Sequence, residues 1–308
     1  MREIILDCDP GHDDAIALLL ALASPELELL GVTTVAGNQT LDKTTANAIR
    51  VLDHVGHHEL PVHAGASRPL VREWRAAVEV HGDSGLDGPQ LPPPSRPAGD
   101  RHAVDWIAET VLSRPHPPTL VAIGPLTNVA LLLARYPEAG PQLAGIVLMG
   151  GSIAEGNVTP AAEFNIWADP EAAARVFASG IQLTMVGLDV THRALMTARH
   201  AARLAQAGSA GRLVSDLFGF YSRFHADRYG WDGVPVHDAV AVAHVVDDSL
   251  LVTERCAVLV DTGAEPSRGR TYVDRWRATD WAANCEVAIG IDSERFLELL
   301  VTRIEALG

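Results

Sequence analysis

Lysine is almost missing from this 308-residue chain: Lys43 is the only one, and arginine supplies the rest of 24 basic side chains set against 39 acidic ones. The formal charge of −15 argues against nucleic acid as a partner, because that binding uses a basic face to release counterions from phosphates. Small neutral or cationic ligands fit better. Cysteine is scarce as well. Cys8, Cys256 and Cys285 are far apart, odd in number and without a CxxC pair, so neither a disulfide framework nor a thiolate metal site is indicated. They read as small buried hydrophobes. No apolar run approaches the ~20 residues that cross a bilayer, so no membrane association is expected. The opening "MREIILD" lacks the basic segment, apolar core and cleavage site of a secretory signal, which makes a cytoplasmic location the expectation.

What the chain does contain is a rhythm. The short aliphatic runs "EIILDCD", "ELLGVTTVAG", "TLVAIG", "GIVLMGG" and "QLTMVGLDV" are each followed by helix-like or loop sequence, as in βαβ units. The runs are nearly continuous rather than alternating, which strands buried on both faces require. The expected fold class is α/β, an open and mostly parallel sheet flanked by helices. The Gly- and Pro-rich stretch from His81 to Asp100 reads as a surface or active-site loop and not a linker, because "RHAVDWIAETVLSRP" resumes the same pattern after it. One domain over residues 1–308 is therefore expected. Towards the C-terminus, "CAVLVDT", "RGRTYVD" and "EVAIGID" look like edge or hairpin strands, and "SERFLELLVTRIEAL" like a closing amphipathic helix.

Residues 6 to 14, "LDCDPGHDD", place Asp7, Asp9, Asp13 and Asp14 where the first strand gives way to a helix that starts around Ala15. Ligands of open parallel sheets bind outside the carboxyl ends of the strands. Helix capping accounts for Asp13 and Asp14, but not for Asp9. Several carboxylates at one strand end repel each other unless a cation lies among them. Oxygen donors favour Ca²⁺ or Mg²⁺ over Zn²⁺. "VPVHDAVAVAHVV" sets His237 and Asp238 before another helical run, as a cap or as part of a site. In "EGNVTPAAEFNIWADPEAA", Asn157, Glu163 and Asn165 fall in a loop before a helix starting at Asp169-Pro170. Two amides and a carboxylate suit a hydroxyl-rich ligand, or else bond to their own backbone. "AIGPLTNVALLLA" points Thr127 and Asn128 toward the same rim.

Over essentially its full length the chain resembles the inosine-uridine preferring nucleoside hydrolase family. The resemblance rests on "DCDPGHDDAIALLLA", "VTTVAGNQT", "VHGDSGLDG", "GPLTN", "VLMGG", "GNVTPAAEFNIWADPEAA" and "PVHDAVAVA", in that order. It implies calcium-dependent hydrolysis of the N-glycosidic bond of a ribonucleoside, giving ribose and free base. Asp9, Asp14 and Asp238 match the family's calcium-binding carboxylates, and Thr127 the residue whose main-chain carbonyl completes the set. Asp13, Asn38, Asn157, Glu163 and Asn165 match positions that grip the ribose hydroxyls, and Met149 one that lines the ribose pocket. Asp9 also matches the general base on the metal-bound water, His237 a histidine beside the base, and Asp7 a supporting residue. A homodimer or homotetramer is expected on the same ground.

The residue types suit that chemistry. Cleavage of a ribosyl C–N bond passes through an oxocarbenium-like state, so carboxylates must stabilise positive charge and ready a water. The departing base needs a proton donor, for which His237 is the first candidate and His81 the second. Tyr221, His225 and Trp231, in "FYSRFHADRYGWDG", are candidates for contacting the base or for packing a helix against the core, and the base preference stays open. Two other readings remain at this stage. A haloacid-dehalogenase-type phosphatase acting on nucleotides also has Asp-x-Asp after its first strand, but needs a lysine to hold phosphate, and Lys43 is the single one present. A non-catalytic calcium-dependent nucleoside-binding protein would have no need for base and acid.

Overall fold

Successive residues of the first strand segment, Arg2–Cys8, divide between two cores: Ile4, Leu6 and Cys8 face one, and Ile5 the other. The same split recurs in Thr119–Ala122 and Gly145–Met149, where Val121, Val147 and Met149 join the first core and Leu120, Ile146 and Leu148 the second. A strand covered on both faces has no polar side, which is why these runs are unbroken apolar.

The computed structural model describes residues 1–308. Its strands are β1 (Arg2–Cys8), β2 (Leu27–Thr34), β3 (Val62–Ala64), β4 (Thr119–Ala122), β5 (Gly145–Met149), β6 (Leu183–Val186), β7 (Leu195–Met196), β8 (Val234–Pro235), β9 (Leu251–Val260), β10 (Thr271–Asp274) and β11 (Cys285–Ile291). The helices are α1 (His12–Ala23), α2 (Leu41–His54), α3 (Val78–His81), α4 (Ala103–Ser113), α5 (Thr127–Arg135), α6 (Phe164–Ala168), α7 (Pro170–Phe177), α8 (Leu188–Thr191), α9 (Ala198–Leu204), α10 (Gly208–Tyr229), α11 (His237–Val246) and α12 (Ser293–Leu307).

Nine strands form one sheet in the order β10-β9-β11-β6-β5-β4-β1-β2-β3. The run from β3 to β11 is parallel, and β9 and β10 join by antiparallel pairing. The expected open, mostly parallel α/β sheet is therefore present. One C-terminal reading needs correction. β11 is not an edge strand, since it lies inside the sheet between β6 and β9. Its "EVAIGID" mixes buried and half-buried positions, and that pattern alone does not distinguish an interior strand from an edge.

From β1 the chain winds outward through β2 and β3, then returns to place β4 on the other side of β1 and winds through β5 and β6. The order reverses between β1 and β4, the switch point at which such sheets open a crevice for ligands. Register sets the rim: Asp7 pairs with Thr33 and Ala122, and Ala122 with Leu148. The residues just beyond β1, β2, β4 and β5 therefore project at one level.

Candidate active site

Asp14 is the third residue of α1, and its carboxylate turns back to accept the Gly11 amide at 2.9 Å and the Asp9 amide at 3.0 Å, the reciprocal bond of an acidic cap. The helix starts at His12, three residues earlier than expected, so Asp13 and Asp14 lie in its first turn. The N-terminus of α11 meets it with His237 and Asp238. Oxygen atoms of Asp13, Asp14 and Asp238 lie within 4.8 Å of one another, and all three side chains are buried. Two helix N-termini thus aim their positive ends at one knot of carboxylates.

Asp9 lies beside this knot. Its Oδ2 accepts the Asn38 amide at 2.6 Å, while its Oδ1 is buried without a partner. Space around it is tight. A Cβ on Gly37 would stand 2.1 Å from Oδ2, and one on Gly124 2.6 Å from Oδ1; only glycine lets the two turns close on this carboxylate. Asp7, two residues earlier and within β1, accepts from Thr33 Oγ1 at 2.6 Å and Asn128 Nδ2 at 2.8 Å, tying β1 to β2 and to the first turn of α5. Its carboxyl is raised to about 6, by burial against the two hydrogen bonds that oppose it.

Burial pushes the carboxyls of Asp9, Asp13 and Asp238 well above the usual range, and the charges of their neighbours add to it. Asp14 is raised too, against the amides it accepts. No arginine, lysine or histidine forms an ion pair with Asp9, Asp13, Asp14, Glu163 or Asp238. Buried anions with no protein cation, all oxygen donors and one orphaned oxygen fit a hard divalent cation.

Above the knot opens a cavity of about 480 Å³. Of the residues singled out in the sequence, Asp13, Asn38, His81, Met149, Asn157, Glu163, Asn165, Tyr221, His225, His237 and Asp238 border it, with Trp231 at its far end. Asp9 and Asp14 lie beneath the lining. Thr127 does not border the cavity: its hydroxyl donates to Asp169 Oδ2 at 2.7 Å, and Ile123, which ends the β4 run, borders the cavity instead. The "GPLTN" spacing identifies the turn but not which of its residues looks inward. Asn128, fully buried, accepts the Ala66 amide and serves the framework.

The polar floor is oriented by its own bonds. Glu163 does not lie in an open loop but caps α6, with Oε1 accepting from Asn165 N and Oε2 from Gly151 N and Ile166 N. Burial nevertheless raises it to about 7. Asn165, in the first turn of α6, commits Nδ2 to the carbonyls of Ile123 and Met149, which leaves Oδ1 as an acceptor. Asn157 is the reverse, since Oδ1 accepts the Phe164 amide and Nδ2 stays available. Asn38 gives Nδ2 to Asp9 O and Asp14 Oδ2, both at 3.2 Å.

The other end is aromatic. His81 Nδ1 accepts the His12 amide at 3.2 Å, so in its neutral form the ring carries its proton on Nε2. His237 Nδ1 meets Thr191 Oγ1 at 2.7 Å. Burial holds both rings well below the usual imidazole range, the first also beside His12 and the second beside His192. Tyr221 and His225 lie on α10, which ends at Gly230 in the left-handed conformation (φ 67°). Sequence reasoning missed His12, Ile123 and His192. The last follows the strand-like "QLTMVG" as the other site residues follow theirs, a signal that was present in the sequence. Lys43 donates to the Asp83 carbonyl and to Gln39 Oε1, remote from the carboxylates.

An open parallel sheet with buried carboxylates and a polar cavity at its switch point has the ligand crevice of an α/β enzyme, and paired carboxyl groups at such a crevice suit cleavage of a glycosidic bond. Residues 4–298 match the family described as inosine-uridine preferring nucleoside hydrolase. A relative from Shewanella sp. (strain ANA-3), named pyrimidine-specific ribonucleoside hydrolase RihA, is 49% identical over 97% of this chain and 95% of its own. One of the same name from Photobacterium profundum is 47% identical over 98% of each. A solved structure titled purine-preferring ribonucleoside hydrolase, from Gardnerella vaginalis, superposes with a TM-score of 0.93 at 36% identity, over 99% of both chains. The chain belongs to the inosine-uridine preferring nucleoside hydrolase family, and is a hydrolase of the N-glycosyl bonds of ribonucleosides. No helix is long and apolar enough to cross a membrane.

Proposed function

We propose that the protein is a calcium-dependent ribonucleoside hydrolase in which Asp9 is the general base and a histidine at the aromatic end of the cavity protonates the leaving base. The observation that carries this is the group of buried carboxylates, without protein cations, opening into a cavity whose floor is amide and carboxylate and whose far end is histidine and aromatic. Asp13, Asp14 and Asp238, with Asp9 beside them, would hold the ion. Ile123, bordering the cavity, is better placed than Thr127 to offer a main-chain oxygen. When bound, calcium supplies a positive centre that holds the ribose diol and acidifies a water.

The remaining steps belong to the chain's own side chains. Asp9 Oδ1, the oxygen with no partner, receives the proton of the attacking water. Ribose hydroxyls donate to Asn165 Oδ1 and Asn38 Oδ1 and accept from Asn157 Nδ2, the free ends left by the bonds described above. Anionic carboxylates below the sugar stabilise the positive charge that develops on it. His81, with its proton on Nε2, and His237, held through Nδ1, each present a ring nitrogen for the departing base. Lys43, bonded to Gln39 and Asp83, leaves the phosphatase reading without a phosphate clamp, and family membership removes the non-catalytic one.

Pyrimidine ribonucleosides are the first substrates to expect, since the relatives near half identity are named for them. We read residues 1–308 as one domain, acting in the cytoplasm as a homodimer or homotetramer. The test is ribose release from uridine, cytidine, inosine, adenosine and guanosine, each with calcium and with a chelator. Release that the chelator abolishes is the expected result; release unchanged by chelator overturns the calcium role, and none from any nucleoside overturns the activity.

A further inference from the structure

Four histidines border the cavity: His81, His192, His225 and His237. Three are fixed through a ring nitrogen, His81 by His12, His225 by the Tyr221 carbonyl at 3.0 Å and His237 by Thr191. His192 alone has no hydrogen-bond partner at either nitrogen. It follows Thr191 directly at the end of α8, so one turn both orients His237 and presents His192 beside it. Its ring is edge-on to His237 at 5.4 Å (60°) and to Trp231 at 5.1 Å (68°). Trp231 in turn stacks on Tyr229 at 4.6 Å. The line from Asp238 through His237 and His192 to Trp231 therefore runs from the carboxylate knot to the aromatic end; His192 and the Trp231 indole are both half-buried along it, and of the two only the His192 ring offers an acceptor as well as a donor.

We propose that His192 is a specificity-determining residue whose free ring nitrogen hydrogen-bonds the exocyclic polar edge of the departing base, while Trp231 and His237 hold its plane. This rests on the nucleoside hydrolase reading and deepens it, because it assigns the base edge to α8 and not to α10 alone. A neutral imidazole offers one donor and one acceptor, so it can serve a carbonyl or an amino group. A site built on such a bond rejects analogues that lack the group more strongly than one built on apolar contact.

The test compares wild type, His192→Phe and His192→Gln on uridine, cytidine, inosine and p-nitrophenyl riboside, whose leaving group has no base edge. Phenylalanine keeps the ring packing and removes both nitrogens. The expected result for H192F is a loss of ~10-fold or more in kcat/KM on the preferred nucleoside, with nitrophenyl riboside changed less than ~3-fold. H192Q, which restores an amide donor and acceptor, should recover part of the nucleoside rate and change the ratio of uridine to cytidine. Equal losses on nucleoside and nitrophenyl riboside would assign His192 a packing role and overturn the proposal, as would nucleoside rates in H192F matching wild type. Should H192F fail to fold, the uridine to cytidine ratio of H192Q decides alone, and an unchanged ratio overturns it. Wild type is assayed first. If it releases ribose from nothing, the hydrolase reading itself has failed and the proposal falls with it.

Discussion

Asp9 shows how little freedom a single site residue has here. Its Oδ2 is held by the Asn38 amide and its Oδ1 is left bare in a space that two glycines keep open. Asp9→Asn retains the shape and loses the base, so kcat for ribose release should fall ~10²–10⁴-fold with an unchanged circular dichroism spectrum. A variant with near-wild-type kcat would remove Asp9 from that role. Gly37→Ala attacks the same carboxylate from outside. The added methyl meets Oδ2 at 2.1 Å and Pro125 at 2.8 Å, which should cost about 1–3 kcal/mol in urea unfolding and lower turnover as well. His237→Ala should slow natural nucleosides far more than p-nitrophenyl riboside, whose leaving group needs no proton.

Among the elements, α8 is one turn long, yet it carries Thr191 under His237 and His192 beside it. Thr191→Val removes the hydroxyl and keeps the shape. It should lower kcat on uridine by about tenfold, the worth of one hydrogen bond to a buried ring, while leaving KM within about twofold; a shift in KM alone would mean that the hydroxyl serves binding. This element also marks where the sequence stops being legible. "LDCDPGHDD" is readable because four acids in nine residues demand compensation, and the unbroken aliphatic runs are readable because strands covered on both faces have no polar side. "SERFLELLVTRIEAL" is α12 residue for residue. By contrast, "GLDVTHR" folds into a single turn whose importance comes from residues 46 positions away, and no local pattern encodes that distance. Thr127 illustrates the same limit, because a turn motif does not say which of its residues faces inward. β11 reads in sequence as an edge or hairpin strand, and its place inside the sheet is not legible because its neighbours in space, β6 and β9, are remote from it in sequence.

For the whole molecule, the buried acids make stability depend on pH in an uncommon direction. Asp7 is raised from 3.8 to about 6 and Glu163 from 4.5 to about 7. A group whose folded pKa lies above its unfolded value binds more protons when folded. Its stabilisation is complete below the unfolded pKa and is lost as pH rises through the folded one. With the metal chelated, Tm should therefore fall between about pH 4 and pH 7, and calorimetry that finds Tm rising across this window would contradict it. Calcium should oppose the fall, by about 2.7 kcal/mol at a hundredfold excess over its Kd, and should do so less at pH 5, where protons compete for the same oxygens.

Lys43 is the chain's only side-chain amine. It is exposed at the start of α2 and bonded to the carbonyl of Asp83, two residues beyond His81. A dye or tether that reacts with lysine side chains would consequently mark one place, the seam between α2 and the segment that brings His81 over the cavity. The terminal α-amine apart, the molecule can thus be labelled or immobilised at a single side chain, and a fluorophore there would sense movement of that segment as substrate enters, without any residue being replaced.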